Sequence, residues 1–557
     1  MDVVLVGLPG SGKTAVGRRL AARHEARFID LDEHIEATAG RRVAEIFASE
    51  GEQGFRARER AAVTELGPPS PGSTVSQVIA TGGGAPVDPR NRWRLYRGRA
   101  VVWLDGAPEA LAQRLRRSPN PRPLVAGPDP IGAIRALAGA RERFYAAGHR
   151  VNGLAQLGGV IETIETILAT EPATGTTLLD AGTAIGRIVL GDGMAGRLLV
   201  DVLGRSGARR AVVVSEPGAW TAVGAAISDA LDVAGLPLEL ELLPQGEAAK
   251  RLDIVERTAR ALARRRVERG EPLVAVGGGA LGDTAGFVAA TYLRGIPVVH
   301  VPTTLVAQLD SSIGGKTAVD LPEGKNLVGA FHQPAAVITD VSFLRTLPER
   351  QRRAALGEAV KMAALGDERL FELLETDGAG IARGDDAAFE DGAAAEVVER
   401  AAWAKVEVVL ADERERGGAP GASGTAAAGR LALNLGHSLG HAVEAAGGYE
   451  TLLHGEAVAH GLRGACRIGL ALGVTPPERA TRIDALLDRL ELGQGRLPFP
   501  ASAVRRHLEV DKKHAGGRLR WVLPTSIGVE VRTDVPDAVV GATIEALIGP
   551  AQRAAVR

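Results

Sequence analysis

Along the first third of the chain, short apolar runs alternate with amphipathic stretches. VVLVG (3–7), ARFIDLD (26–32), VIATGGG (78–84) and AVVWLD (100–105) read as buried strands. Between them, segments such as Thr14 to His24 space their apolar positions at a helical period. That alternation predicts a parallel sheet flanked by helices. GGVIETIETILAT (158–170) reads as a closing helix, and EPATGTTLLDAG (171–182) mixes turn formers with little periodicity. A second α/β pattern follows, with strands expected in RRAVVVSE (209–216), LELELLPQG (238–246), EPLVAVGGG (271–279) and IPVVHVPTT (296–304). After about 345 helical periodicity dominates, with one β-like stretch, LRWVLP (519–524).

The fold class expected is therefore α/β, with a mainly helical C-terminal part. We divide it into a first domain over 1–168, a linker over 169–180, an α/β domain over 181–345 and a helical domain over 346–557. GGAPGASGTAAAGR (417–430) is compositionally biased and reads as a surface excursion.

Composition narrows the class of function. The 557 residues exceed what one core supports. Lys+Arg 66 against Asp+Glu 67 leaves a net charge of −1, so nothing argues for wholesale nucleic-acid or anionic-membrane binding, and small-molecule substrates are the partners expected. A single cysteine, Cys466, allows no intrachain disulfide and suits a reducing compartment. With no leader pattern ahead of MDVVLVG and no apolar run of membrane-spanning length, the expected location is cytoplasmic.

Gly7 to Thr14, GLPGSGKT, fits G-x-x-x-x-G-K-[ST] between an expected strand and an expected helix. Backbone N–H groups around Gly10, Ser11 and Gly12 can cradle phosphates, Lys13 can reach the terminal ones, and Thr14 can ligate Mg²⁺. FIDLD places Asp30 and Asp32 on one face at a strand's end, one for Mg²⁺ and one for an acceptor hydroxyl. Arg56, Gly82, Gly83 and Arg122 follow in FRARE, TGGGAP and NPRPLVAG. Several arginines with few aromatics suit a small anionic, hydroxylated acceptor rather than a nucleobase.

With GLPGSGKT, DLDEHIE, AEIFASEGEQGFRARE, TGGGAPVD and RPLVAG in this order, residues 1–168 resemble shikimate kinase. The resemblance implies ATP bound at Gly10–Thr14, and shikimate held by Asp32, Arg56, Gly82, Gly83 and Arg141. It gives catalytic roles to Lys13, Asp32 and Arg122, and Mg²⁺ to Thr14 and Asp30. RERFY (141–145) lacks the family's proline between Arg and Tyr, so Arg141 and Arg143 both stand as carboxylate partners.

Far downstream, LNLGHSLGHAVEAAGGYETLLHGEAVAHG crowds His437, His441, His454 and Glu456 together. Four-residue spacing puts His437 and His441 on one helical face. Spacing alone makes them Zn²⁺ ligands, with His454 or Glu456 third. VAVGGGALGDTAG (274–286) is a strand running into a glycine turn suited to a pyrophosphate, with Asp283 after it. Asp310, Lys316, Lys325 and Asn326 in a Gly-rich segment suggest a phosphorylated or carboxylated substrate.

PQGEAAK, GGGALGDTAGFVAATYLRG, VPTTLVAQLDSSIGGKTAVD, GKNLVGAFHQP, GEAVKMA, NLGHSLGHAVE, LLHGEAV and DKKHAGGRLRWVLP make residues 181 onward resemble 3-dehydroquinate synthase. The resemblance moves the Zn²⁺ (or Co²⁺) ligands to Glu358, His437 and His454, and gives His441 to the substrate and to proton transfer. It implies NAD⁺ held by Glu247, Lys250, Gly278, Gly279, Asp283, Thr303, Thr304, Asp310, Lys316 and Lys325. Arg294, Asn326, Lys361, Lys405, Arg430, Asn434, His441, Lys512 and Lys513 would bind substrate, with Lys316, Lys361 and His441 catalytic. It also implies a homodimer through this region. The chain departs from the family where 417–430 separates DERE from Arg430.

The combined expectation is a bifunctional enzyme of the shikimate pathway. It would phosphorylate shikimate with ATP, and cyclise 3-deoxy-D-arabino-heptulosonate 7-phosphate to 3-dehydroquinate and phosphate. The alternatives are a kinase fused to a cyclase of sedoheptulose 7-phosphate, or one domain acting only as a non-catalytic partner.

Overall fold

The computed structural model describes residues 1–116, 129–170, 175–416, 423–495, 497–514 and 519–548, with the side chains of 510–514 excepted. The chain divides into two compact units: residues 1–183, 187–198 and 338–341, and residues 184–186, 199–337 and 342–557.

The first unit is built on five parallel strands, β1 (Asp2–Val6), β2 (Arg27–Asp30), β3 (Gln77–Ala80), β4 (Ala100–Asp105) and β5 (His149–Asn152). Their order is β2-β3-β1-β4-β5. Central β1 pairs Val4 with Ile79 on one side and with Val101 on the other. Being covered on both faces, it reads as the apolar run VVLV (3–6) after Asp2, with all five residues buried. Val16 and Leu20 of the helix Lys13–Arg23 pack onto it, and Val160, Ile161 and Ile164 of the helix Leu157–Thr170 join the same core. Burying one such leucine stabilises the unit by about 2 kcal/mol. The phosphate loop leaves the carboxyl end of β1, with Gly7, Gly10 and Gly12 at positive φ, and delivers the chain to the helix at Lys13.

Three expectations are corrected here. The stretch read as FIDLD strand ends at Asp30, whose carboxylate caps the next helix by accepting from the N–H groups of Asp32 and Glu33. Asp32 therefore sits in the first turn of a helix rather than on a strand. The linker expected over 169–180 holds the end of the helix Leu157–Thr170 and the start of a strand, Thr176–Thr183. Thr176, Leu178, Leu179 and Ala181 are buried there, which turn-rich composition hid. GGAPGASGTAAAGR is not all excursion: residues 417–422 lie outside the described residues, but Thr425–Ala428 is a helical turn. It is tied by Thr425 Oγ1 donating to Leu365 O at 2.7 Å and Gly424 N to Val529 O at 2.8 Å.

In the second unit, strands Leu238–Leu242, Ala211–Ser215, Leu273–Gly277 and Val298–Pro302 pair in parallel in that order. Val298–Pro302 continues to Ala336 and Val337. Leu281, Ala285, Val288 and Ala289 of the helix Gly279–Thr291 fill the core against this sheet. An antiparallel hairpin, Lys316–Leu321 and Gly324–Phe331, was not foreseen. From Glu349 the unit is mainly helical, as the periodicity predicts.

Candidate active sites

In the first unit a cavity of about 570 Å³ opens between the phosphate loop and β2. Gly10, Gly12, Lys13, Thr14, Asp30, Asp32 and Gly83 line it, with Arg114, which the sequence reading missed. Lys13 Nζ donates to Gly7 O at 2.8 Å and Leu8 O at 3.1 Å, so its ammonium lies along the loop. Thr14 Oγ1 donates to Asp30 Oδ2 at 2.7 Å, joining the two groups expected around Mg²⁺. Ser11 Oγ is buried in the loop with no hydrogen-bond partner among the described residues.

The expected shikimate residues converge. A side chain at Gly82 would put its Cβ 2.8 Å from Asp32 Oδ1, and one at Gly83 would meet Arg141 Nη1 at 3.3 Å. Arg56 packs over Gly84 and pairs with Glu59 at 2.8 Å and with Glu52 at 3.2 Å. Against its burial, Glu59 holds the Arg56 guanidinium above its ordinary range. Glu59 is buried and sequence reasoning missed it, although its i,i+3 spacing from Arg56 was available. Arg141 is buried beside Gly83, whereas Arg143 stacks on Phe144 at 4.7 Å, so the geometry sets Arg141 with the other shikimate candidates. Arg122 lies outside the described residues.

In the second unit a cavity of about 570 Å³ lies between the glycine turn, the tip of the hairpin and the histidine-bearing helices. Glu247, Lys250, Gly279, Asp283, Thr304, Asp310, Lys325, Asn326, His441 and His454 line it. Lys250 Nζ donates to Asp283 Oδ2 at 2.8 Å and to Asn326 Oδ1. Burial raises the Asp283 carboxyl, with Lys250 opposing. Thr303 is buried and donates its N–H to Gly277 O at 3.0 Å. Glu216, unmarked in the sequence, accepts from Gly246 N at 2.8 Å and Gly278 N at 3.3 Å.

At the cavity floor, Glu358 of the helix Glu349–Ala364 is fully buried. Its Oε1 lies 3.1 Å from His454 Nε2 and 3.4 Å from His437 Nε2, and its Oε2 lies 2.7 Å from Lys361 Nζ. Among the described residues, neither oxygen accepts a hydrogen bond of ordinary geometry. His437, His441 and His454 also bring ring nitrogens within 4.8 Å of one another. Glu456 is elsewhere: it pairs with Arg350 at 2.8 Å and caps its helix at Leu453 N, which removes it from the spacing-based ligand set.

Charge at this floor is balanced by burial and pairing. Against burial, Lys361 and Lys405 hold Asp310 down to about 2. Against burial, Lys361 and His437 hold Glu358 well below its ordinary value. Burial and the neighbouring imidazoles push His441 down to about 3. Contacts with Glu358 and Glu444 raise His454 to about 10 although burial works the other way. Buried carboxylate oxygens without directed hydrogen bonds, facing two imidazole nitrogens, fit a divalent ion that takes nitrogen and oxygen ligands.

Other predicted residues stand farther back. Lys316 pairs with Glu415 at 2.7 Å, and Asn434 Nδ2 donates to the same carboxylate at 3.4 Å. Arg430 is buried, donating to Glu413 O at 2.6 Å and Gly314 O at 2.7 Å. Arg294 is exposed at a corner where Leu293 and Arg294 both have positive φ, and it does not line the cavity. The side chains of Lys512 and Lys513 lie outside the description.

Comparison with known proteins finds matches over both parts of the chain. A family model described as shikimate kinase matches residues 9–157. Models of the 3-dehydroquinate synthase N-terminal and C-terminal parts match 241–354 and 355–514. The 3-dehydroquinate synthase of a Synechococcus species is 42% identical over 369 residues, covering 65% of this chain and 95% of the relative. That of Symbiobacterium thermophilum is 43% identical over 336 residues, covering 59% and 89%. Among solved structures, 2-epi-5-epi-valiolone synthase from Streptomyces hygroscopicus subsp. jinggangensis, with NAD⁺ and Zn²⁺ bound, is 28% identical with a TM-score of 0.57. It covers 65% of this chain and 96% of its own. A 2-deoxy-scyllo-inosose synthase in complex with carbaglucose-6-phosphate, NAD⁺ and Co²⁺ shares the fold at 23% identity and a TM-score of 0.55, covering 67% and 99%.

Proposed function

Since the chain belongs to the 3-dehydroquinate synthase family and carries a shikimate kinase ahead of the synthase, we propose specific substrates and site roles for each part. Residues 1–168 phosphorylate shikimate to shikimate 3-phosphate with ATP. Residues 181–557 convert 3-deoxy-D-arabino-heptulosonate 7-phosphate to 3-dehydroquinate and phosphate.

In the kinase, Asp32 beside Gly82 takes the proton of the acceptor hydroxyl, and Arg56 and Arg141 hold the acceptor's carboxylate. Lys13 leaves the loop carbonyls to neutralise the transferring phosphoryl. Thr14 and Asp30 would hold Mg²⁺, whose charge offsets that of the phosphates when bound.

In the synthase, Glu358, His437 and His454 would hold Zn²⁺ or Co²⁺, and Glu247, Lys250 and the turn at Gly278–Gly279 would hold NAD⁺. When bound, the metal supplies Lewis acidity and the dinucleotide a reversible hydride acceptor. Lys361 and Lys405, both against Asp310, are the ammonium groups behind the cavity that would meet a phosphorylated, carboxylated substrate. His441, facing the cavity, exchanges protons at the substrate. The observation that carries this reading is the Glu358 carboxylate set between His437 and His454 and backed by Lys361.

The deciding experiment is phosphate release by the full chain from 3-deoxy-D-arabino-heptulosonate 7-phosphate with NAD⁺ and Zn²⁺. Parallel reactions contain sedoheptulose 7-phosphate, or a chelator. Release from the first sugar acid, lost on chelation, is the expected result. Release only from sedoheptulose 7-phosphate overturns the substrate, and release that survives chelation overturns the metal.

A further inference from the structure

Glu444 was not among the residues singled out from the sequence, yet it falls seven and three residues after His437 and His441 on the same helix face. Its side chain is 6% exposed. One oxygen, Oε2, lies 3.1 Å from His454 Nδ1, and the other accepts from Lys325 Nζ at 2.9 Å. Lys325 stands near the tip of the hairpin, also reaches Glu247 at 3.2 Å, and lies 4.4 Å from the centre of the Tyr449 ring. A continuous line of polar contacts thus runs from Glu358 through His454 and Glu444 to Lys325 and Glu247. It crosses from the helical part of the unit to the glycine-turn side of the cavity.

We propose that Glu444 is a positioning residue for the metal site, and that through Lys325 it makes metal affinity and dinucleotide affinity of this cavity depend on each other. The proposal rests on the reading of Glu358, His437 and His454 as metal ligands.

The physical argument has two parts. A carboxylate accepting from Nδ1–H fixes the tautomer of His454, leaving the Nε2 lone pair for the proposed ion beside Glu358 and raising its basicity as a ligand. Losing such a partner typically weakens metal binding by about 10–100-fold. Second, Lys325 is the counter-charge of that same carboxylate while also lining the cavity. A dinucleotide that orders the Lys325 ammonium also orders Glu444 and His454 behind it. Linkage then requires the metal to favour the dinucleotide by the same factor.

The test uses the full chain after chelation, titrated with Co²⁺ and read by the visible absorption of the bound ion, with and without saturating NAD⁺. In the unmodified chain NAD⁺ should tighten Co²⁺ binding by about fivefold or more. Glu444→Gln should weaken Co²⁺ binding by about tenfold or more, and Lys325→Met should abolish the effect of NAD⁺. Equal Co²⁺ affinity in the unmodified and Glu444→Gln chains overturns the positioning role. Co²⁺ affinity indifferent to NAD⁺ in the unmodified chain overturns the linkage. If the unmodified chain takes up no Co²⁺, the metal reading itself has failed. Thermal melts of the chelated proteins report folding. Should Glu444→Gln be unfolded, Co²⁺ affinity of the unmodified chain with and without NAD⁺ still decides the linkage.

Discussion

Lys361 Nζ lies 2.7 Å from Glu358 Oε2, one helical turn away on the same helix, and both side chains are essentially removed from solvent. Asp310, at 3.4 Å, is the second carboxylate against this ammonium. Taking one partner from a buried pair leaves the other charge uncompensated, at a cost of about 3–5 kcal/mol. Lys361→Met should therefore lower the urea stability of the second unit by an amount of that order, as well as the rate of phosphate release. A chain of unchanged urea midpoint would show that Glu358 does not depend on this contact.

The two proposed activities use separate side chains, so they should fail separately. Lys13→Ala removes the cation that reaches the transferring phosphoryl and should reduce shikimate phosphorylation by about 10²–10³-fold. Phosphate release from the heptulosonate should keep its rate. Parallel assays on one preparation check both halves of this statement.

Gly82 is a contact point rather than a hinge. Its missing Cβ leaves room for Asp32 Oδ1, which would otherwise be 2.8 Å away, and for Glu59 Oε1 at 3.2 Å. Gly82→Ala should displace the Asp32 carboxylate. Steady-state kinetics should then find a raised KM for shikimate with the KM for ATP little altered.

Acid should loosen the second unit partly through His300, buried on the strand Val298–Pro302 against Gly282. Burial, then the nearby His332, pushes its imidazole from 6.5 down to about 4. Between those values the unfolded chain binds a proton that the folded one refuses, so stability falls as pH drops from 6.5 towards 4. The full effect of this one group is roughly 3 kcal/mol. His300→Gln should flatten that part of the pH profile in urea titrations at pH 4.5, 5.5 and 7. An unchanged slope would place the acid sensitivity elsewhere.

How far the sequence could be read depended on how local the information was. The phosphate loop was legible because strand, glycines, Lys13 and helix lie within a few turns of one another, and the structure has them in that order. Apolar runs marked the buried parallel strands well, since neither face of such a strand carries a polar alternation. The hairpin Lys316–Phe331 escaped because its exposed face and glycines imitate a loop. Spacing offered His437 and His441 for the metal with His454 or Glu456 third, but Glu456 is occupied by Arg350 and its own helix cap. Glu358 lies on a helix 79 positions before His437, beyond any periodicity, and only family resemblance brought it forward. Glu444, by contrast, was within reach of a 3.6-residue period and was overlooked.

The helix His437–Ala446 presents His437, His441 and Glu444 along one stripe, whereas Arg430 just before it is clasped by the backbone carbonyls of Glu413 and Gly314. These two arrangements respond differently to a change in chain length. Extra residues between 416 and 423 leave both halves of the clasp intact, because Glu413 stands before the inserted point and Arg430 after it. One residue added or removed inside the stripe turns everything beyond it by about 100° and carries part of the triplet away from the cavity. Lineages of this chain can thus drift in length at one edge of the site, while a few residues later only substitutions are open to them.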